Sequence, residues 1–207
     1  MFYDVYEKRK QIRWYDLDRA PAKEDIETAL KQSYELMASK QNLVPFKVYV
    51  IEKNKELNQG LYNISQHIVP TTSANHNLLT APYHFIWTVR ISEGNPATLR
   101  DITEFAHLQP VMDPYQYKTR ETIRNTNIEI GMHACVLTKL LIEKGIDVSY
   151  TVCLADWQHD NKVWVDNGFD FIEDEVQFVM SAGYEDPEKY YTAPETKPDY
   201  ESIVEWI

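Results

Sequence analysis

Four of the chain's 21 basic residues fall within six positions, in Lys8-Arg9-Lys10-Gln11-Ile12-Arg13. In a chain of net charge −11 that cluster stands out. Guanidinium groups fork onto phosphate oxygens and ammonium groups add point charge, so the segment suits a small anion. A solvated basic helix end is the other reading of the same residues. The whole-chain balance, 21 Lys and Arg against 32 Asp and Glu, offers a polyanion no attraction. It argues against nucleic-acid binding driven by phosphate neutralisation.

Other side-chain chemistries find little support. The six glycines, Gly60, Gly94, Gly131, Gly145, Gly168 and Gly183, are never closer than 14 positions, so there is no glycine-rich phosphate loop or dinucleotide fingerprint. Any phosphate-bearing cofactor must then be held by side-chain cations. The six histidines never stand four apart, and Asp156, His159 and Asp160 read as a solvated acidic loop rather than a metal site. No serine sits in a Gly-x-Ser-x-Gly elbow. Cys135 and Cys153 lie in Ala-Cys-Val and Val-Cys-Leu, which predicts buried thiols in a reducing compartment and excludes a disulfide framework or a four-cysteine zinc site. With no side-chain catalyst in view, the chemistry points to a bound cofactor.

These residues need a scaffold. At 207 residues, 43% apolar and 26% charged, the chain has material for one packed domain, 1–207. A short helix is expected over Met1 to Lys10, and a second after Pro21 with a stripe of Ile26, Leu30, Leu36 and Met37. Lys47–Ile51 reads as a strand, 55–68 as a helix, Pro70–Asn77 as a polar loop, and His84–Val89 as a strand covered on both faces. Thr98–His107 is expected to be helical and Pro110–Gln116 a loop. The longest helix runs from about Lys118 to Lys144, with a small, apolar, buried centre at Gly131–Leu137 and a C-cap at Gly145. Val148–Leu154 reads as a strand, Asp156–Glu175 as an acidic and aromatic loop, and Val176–Ser181 as a final strand. The N-terminus lacks the basic and apolar regions of a signal peptide, and no apolar run approaches the roughly 20 residues of a membrane span. The expectation is a cytoplasmic protein with no membrane and no nucleic-acid partner.

Three stretches together resemble the nitroreductase family of FMN-dependent flavoproteins. Lys8–Tyr15 resembles that family's opening R-x-S-x-R/K-x-F segment. Ser39-Lys40-Gln41-Asn42-Leu43-Val44-Pro45-Phe46 resembles its S-x-x-N-x-Q-P-W turn. The third is the long helix ending at Gly145-Ile146-Asp147, followed by a strand. Gly183-Tyr184, Lys197-Pro198 and an acidic end resemble the last strand and C-terminal tail. The order of these segments fits the whole chain.

The resemblance implies an α+β fold, a central and mostly antiparallel sheet flanked by helices, with an extended C-terminal tail. It implies FMN as cofactor, with Arg9 facing the phosphate, Lys10 and Gln11 the phosphate or ribityl chain, and Arg13 the N1/O2 edge of the ring. Ser39, Lys40 and Asn42 would line the flavin from the neighbouring subunit of a homodimer. Asn77 (or Asn75) falls near a flavin-contacting position, Val152 and Cys153 would serve through backbone amides, and Lys197 would close on the phosphate. Residues 92–117 would form a variable lid and 184–207 an arm over the partner. The implied chemistry is ping-pong transfer of electrons from NAD(P)H through flavin to a nitroaromatic, quinone or similar small acceptor. The chain also departs from the family: Glu195 stands where a second tail cation is common, Gln11 replaces a serine, Val44 a glutamine, and Val152-Cys153 a Glu-Gly pair. Those departures keep open a non-catalytic flavin-binding or interaction protein built on the same fold.

Overall fold

Tyr83–Val89 carries no Asp, Glu, Lys or Arg, and six of its seven residues are buried, so it has the composition of a strand covered on both sides. The computed structural model describes residues 10–39, 44–68, 75–89, 120–154, 161–172, 175–189 and 202–205. In chain order these form α1 (Lys23–Leu36), β1 (Phe46–Glu52), α2 (Lys55–Ile68), α3 (Asn77–Thr80), β2 (Tyr83–Val89), α4 (Arg120–Glu143), β3 (Asp147–Thr151), α5 (Asn161–Asp166) and β4 (Val176–Gly183). The four strands make one antiparallel sheet in the order β1-β2-β4-β3. The α+β sheet-and-helix architecture expected from the sequence is present.

Strand alternation sorts the core into two layers. Tyr83, Phe85 and Trp87 of β2, with Val148, Met180 and Ala182, face α1 and α4 through Ile26, Ala29, Ala134, Leu137 and Leu141. Ile86, Val179 and Ile51 point the other way, against Leu61 and Ile64 of α2, Leu78 of α3 and Trp164 of α5. Gly145 (φ 74) ends α4: its N–H bonds the Ile142 carbonyl, and the Ile146 N–H reaches back to Leu141, both at 2.9 Å. That left-handed cap is the helix stop expected at this glycine, and it turns the chain directly into β3.

Several elements differ from the expectation. In α1, Leu36 is the last helical residue and is 68% exposed, while Ser33 takes a fully buried place on the α4 face. A hydroxyl fits there because it donates to the Leu30 carbonyl (2.8 Å) and bonds His133 (2.9 Å). The strand expected through Leu154 ends at Thr151, and Val152–Leu154 is a 3-10 turn. In a strand Val152 and Leu154 would share a face; the turn separates them, leaving Val152 65% exposed and Leu154 fully buried. The loop expected over Asp156–Glu175 contains α5, which inserts Trp164 into the second core layer. Cys135 is exposed rather than buried, because α4 carries a second apolar face with Ile128 and Met132. The elements expected over Met1–Arg9, Thr98–His107 and Pro110–Gln116 lie outside the described residues.

Candidate functional site

β3 is an outer strand of the sheet, and an outer strand leaves alternate backbone groups without a strand partner. The segment starting at Lys10 lies against that edge. The Gln11 carboxamide donates from Nε2 to the Tyr150 carbonyl (2.8 Å) and accepts at Oε1 from the Tyr150 N–H (3.2 Å). Ile12 and Tyr15 bury themselves beside Ala81. The Tyr15 hydroxyl donates to the Ser181 carbonyl (2.9 Å) and bonds Ser149 Oγ (3.0 Å), and the Tyr15 N–H donates to Thr80 Oγ1 (3.0 Å).

The stretch that leaves β4 closes over the other side. Tyr15 and Glu185 form an antiparallel bridge; the Asp16 N–H donates to the Tyr184 carbonyl (2.8 Å) and the Asp186 N–H to that of Trp14 (3.1 Å). The Lys10 ammonium is ion-paired with the Glu185 carboxylate. The Glu185 N–H donates to Asp147 Oδ2 (2.9 Å). Burial raises the Asp147 carboxyl above its ordinary range, Glu185's charge adds to the rise, and the Glu185 amide and Lys10 oppose it.

Beneath the segment lies a buried polar layer. Ser149, Ser181 and His84 are neighbours in register across β3, β4 and β2. Asn77, at the start of α3, donates from Nδ2 to Ser149 Oγ (3.0 Å) and Thr151 Oγ1 (3.2 Å), and its Oδ1 is buried without a hydrogen-bond partner. His84 Nδ1 lies 2.9 Å from Ser181 Oγ, and burial pushes this histidine down to about 3, so it is neutral at pH 7.

β3 therefore gathers several of the sequence-predicted residues. Gln11 binds Tyr150, Asn77 binds Ser149 and Thr151, Val152 and Cys153 continue from Thr151, and Lys10 and Arg13 flank Gln11 in the chain. Asn77 is fully buried, so it supports the strand from below. Ser39 belongs to a different neighbourhood: its hydroxyl donates to Glu129 of α4 (2.7 Å) and accepts from the Val44 N–H (2.9 Å). Val44 itself has φ 45, a left-handed turn conformation. Arg9, Lys40, Asn42 and Lys197 lie outside the described residues. Nothing in the sequence marks Asp147 or Glu185 as part of the site, and Tyr15 enters it only as the last residue of the motif that resembles the family's opening segment. Tyr15 directly follows the basic segment, but only the tertiary pairing distinguishes Asp147 and Glu185 from other surface acids.

No protein-family model and no curated protein matches the chain. Solved structures do. The nitroreductase family protein from Streptococcus pneumoniae is similar over 100% of both chains, with TM-score 0.68 and 18% identity. A protein from Exiguobacterium sibiricum solved in complex with FMN covers 100% of this chain and 97% of its own, with TM-score 0.68 and 17% identity. The NfrA1 nitroreductase from B. subtilis reaches TM-score 0.71 at 12% identity, over 99% of this chain and 73% of its own. The chain has the nitroreductase fold. α4 also carries an exposed apolar face, with Ile128 55% and Met132 43% accessible.

Proposed function

We propose that the chain is an FMN-dependent oxidoreductase that passes electrons from NAD(P)H to a nitroaromatic, a quinone or a similarly electron-poor small molecule. One observation carries the reading: the cationic segment is clamped by Gln11 to Tyr150, two residues from Val152-Cys153, within a nitroreductase fold. The donor set fits the cofactor. Arg9, Lys10 and Lys197 would bind the phosphate, and Arg13 the N1/O2 edge, where a cation favours the reduced form of a flavin. The backbone of Val152-Cys153 would border the ring, and Ser39, Lys40 and Asn42 would come from a partner subunit. FMN, when bound, supplies acceptance and release of a hydride equivalent; the chain binds and orients it.

The exposed Ile128, Met132 and Cys135 recur at i, i+4 and i+7 on α4, a face suited to a second copy of the helix in a homodimer. In this reading 1–207 is one domain, 92–117 lids the acceptor and 184–207 reaches the partner. The acceptor is small, and neither nucleic acid nor membrane takes part.

The Lys10–Glu185 ion pair means that a phosphate at Lys10 competes with a carboxylate. Glu185→Gln should therefore tighten FMN several-fold, read by quenching of flavin fluorescence; an unchanged or weaker affinity would show that Lys10 does not face the phosphate. Arg9→Ala should weaken FMN by about ten- to hundredfold, the value of a charged hydrogen bond of about 1.5–3 kcal/mol. Retained affinity would remove Arg9 from the site.

Turnover tests the function itself. Oxidation of NADH or NADPH by the protein with added FMN should depend on a quinone or nitroaromatic. Protein that binds FMN yet turns over none of these supports the non-catalytic reading.

A further inference from the structure

We infer that Gln11 is a positioning residue: its side chain mimics a peptide group, closes the β3 edge at Tyr150 and thereby sets where the neighbouring Lys10 and Arg13 cations stand. The inference rests on the FMN reading for what those cations bind, and on the hydrogen bonds at Tyr150 for the clamp. Tyr150 pairs with Met180 across β3 and β4, yet both its N–H and its C=O bond Gln11, so this residue's backbone groups point away from β4. Among side chains only Asn and Gln present a donor and an acceptor in the geometry of an amide, and Gln has the longer reach. The pair of bonds thus imitates one step of a strand ladder with a single side chain.

The rest of the segment fits this account. Ile12 and Tyr15 are buried 1% exposed on the same segment, and Tyr15 is tied through its hydroxyl to β3 and β4. Those anchors lie on the C-terminal side of Lys10 and, for Tyr15, beyond Arg13. Among the described residues, Gln11 ties the segment to the β3 backbone next to Lys10. A serine, common at this place in the family the segment resembles, has one oxygen with which to serve both Tyr150 groups. With its carboxamide committed to Tyr150, Gln11 acts on a phosphate through its neighbours.

Two readouts separate this role from direct contact. The first needs no flavin: amide hydrogen exchange of the full-length protein. Gln11→Ala and Gln11→Ser should each exchange the Tyr150 amide at least about tenfold faster, while the Ser149 and Thr151 amides, which face β4, keep their protection. The second is a double-mutant cycle on FMN affinity. Gln11→Ala and Arg13→Gln should each weaken FMN roughly tenfold, and the double variant should fall well short of the roughly hundredfold loss expected for independent contacts. Gln11→Ser should weaken FMN as much as Gln11→Ala, because serine restores a phosphate donor but not the clamp. Unchanged exchange at Tyr150, fully multiplicative losses, or full affinity in Gln11→Ser would each overturn the inference. Wild-type protein that binds no FMN would overturn the proposed function and the positioning role together, and the exchange result would then decide the clamp alone.

Discussion

Lowering the pH from 7 to 5 should cost the folded chain about 4 kcal/mol, because two buried histidines refuse protons that the unfolded chain accepts. His84 is held down to about 3 and His133 to about 4, both by burial. The bonding around His133 shows why protonation is resisted. Trp87 Nε1–H donates to His133 Nδ1 (3.0 Å), His133 Nε2–H donates to Ser33 Oγ (2.9 Å), and Ser33 Oγ–H donates to the Leu30 carbonyl (2.8 Å). One neutral tautomer satisfies every member of that relay, which joins β2, α4 and α1. A second ring proton would set N–H against N–H at Trp87.

Below pH 6.5 the unfolded chain binds up to two more protons at these sites than the folded one, so stability falls as pH falls, by as much as about 2.7 kcal/mol per pH unit. By pH 5 each histidine has cost about 2 kcal/mol. Asp147, whose carboxyl is raised, opposes this weakly by taking up a proton more readily in the folded state. Against a typical total of about 5–15 kcal/mol the loss is large. Urea unfolding at fixed protein concentration, followed by the fluorescence of buried Trp87 and Trp164, should show a clearly lower midpoint at pH 5. Equal midpoints at the two pH values would mean that these histidines are not held neutral.

Gly183→Ala should destabilise the chain by about 1–3 kcal/mol, the cost of overpacking a filled site, and should weaken FMN as well. A β-carbon at Gly183 would stand 2.6 Å from Pro82 Cδ and 2.8 Å from Tyr15 Cδ1. Neither ring can step aside at little cost: Pro82 is fixed by its own geometry, and Tyr15 is held at its hydroxyl by the Ser181 carbonyl and Ser149. If Tyr15 gives way, the segment carrying Lys10 and Arg13 moves with it, so the stability loss and the loss of anion binding should appear together. At about 2–4 °C per kcal/mol for a chain of this size, the melting temperature should fall by several degrees. A variant with unchanged melting and unchanged FMN affinity would show that β4 and the segment are not packed as closely as this.

Much of the scaffold was legible because its signals are local. The uncharged run at β2, the small apolar centre of α4 and the glycine at its end each mark their own element. The misreadings share a different cause. Ser33 occupies a core position that a hydrophobic stripe passes over, since a hydroxyl becomes acceptable there only through His133, 100 positions away. Cys135 looks buried in its local sequence and is exposed in the chain, because it lies with Ile128 and Met132 on a face of α4 that the sheet does not cover. Leu154 leaves the strand pattern to reach the layer formed with α2 and α5, a demand no neighbour in sequence announces.

The site divides the same way. The basic run at 8–13 was visible as composition, but the use made of Gln11 was not, since it depends on which strand lies at the sheet's edge. Asn77 was placed near the site by position along the chain, and the fold sets it under β3 as a support. Glu185 illustrates the limit most clearly: among 32 acidic residues nothing in the sequence marks it as the partner of Lys10.

Cofactor binding and reduction are read together in the visible absorption spectrum of the purified protein, recorded before and after FMN is added, and then with NADPH or NADH in the absence of oxygen. Flavin bands should shift on binding at micromolar concentrations and bleach when the nicotinamide is added. Unshifted bands would mean that the clamped cationic segment does not form a phosphate site, and shifted bands that no nicotinamide bleaches would contradict a reductase.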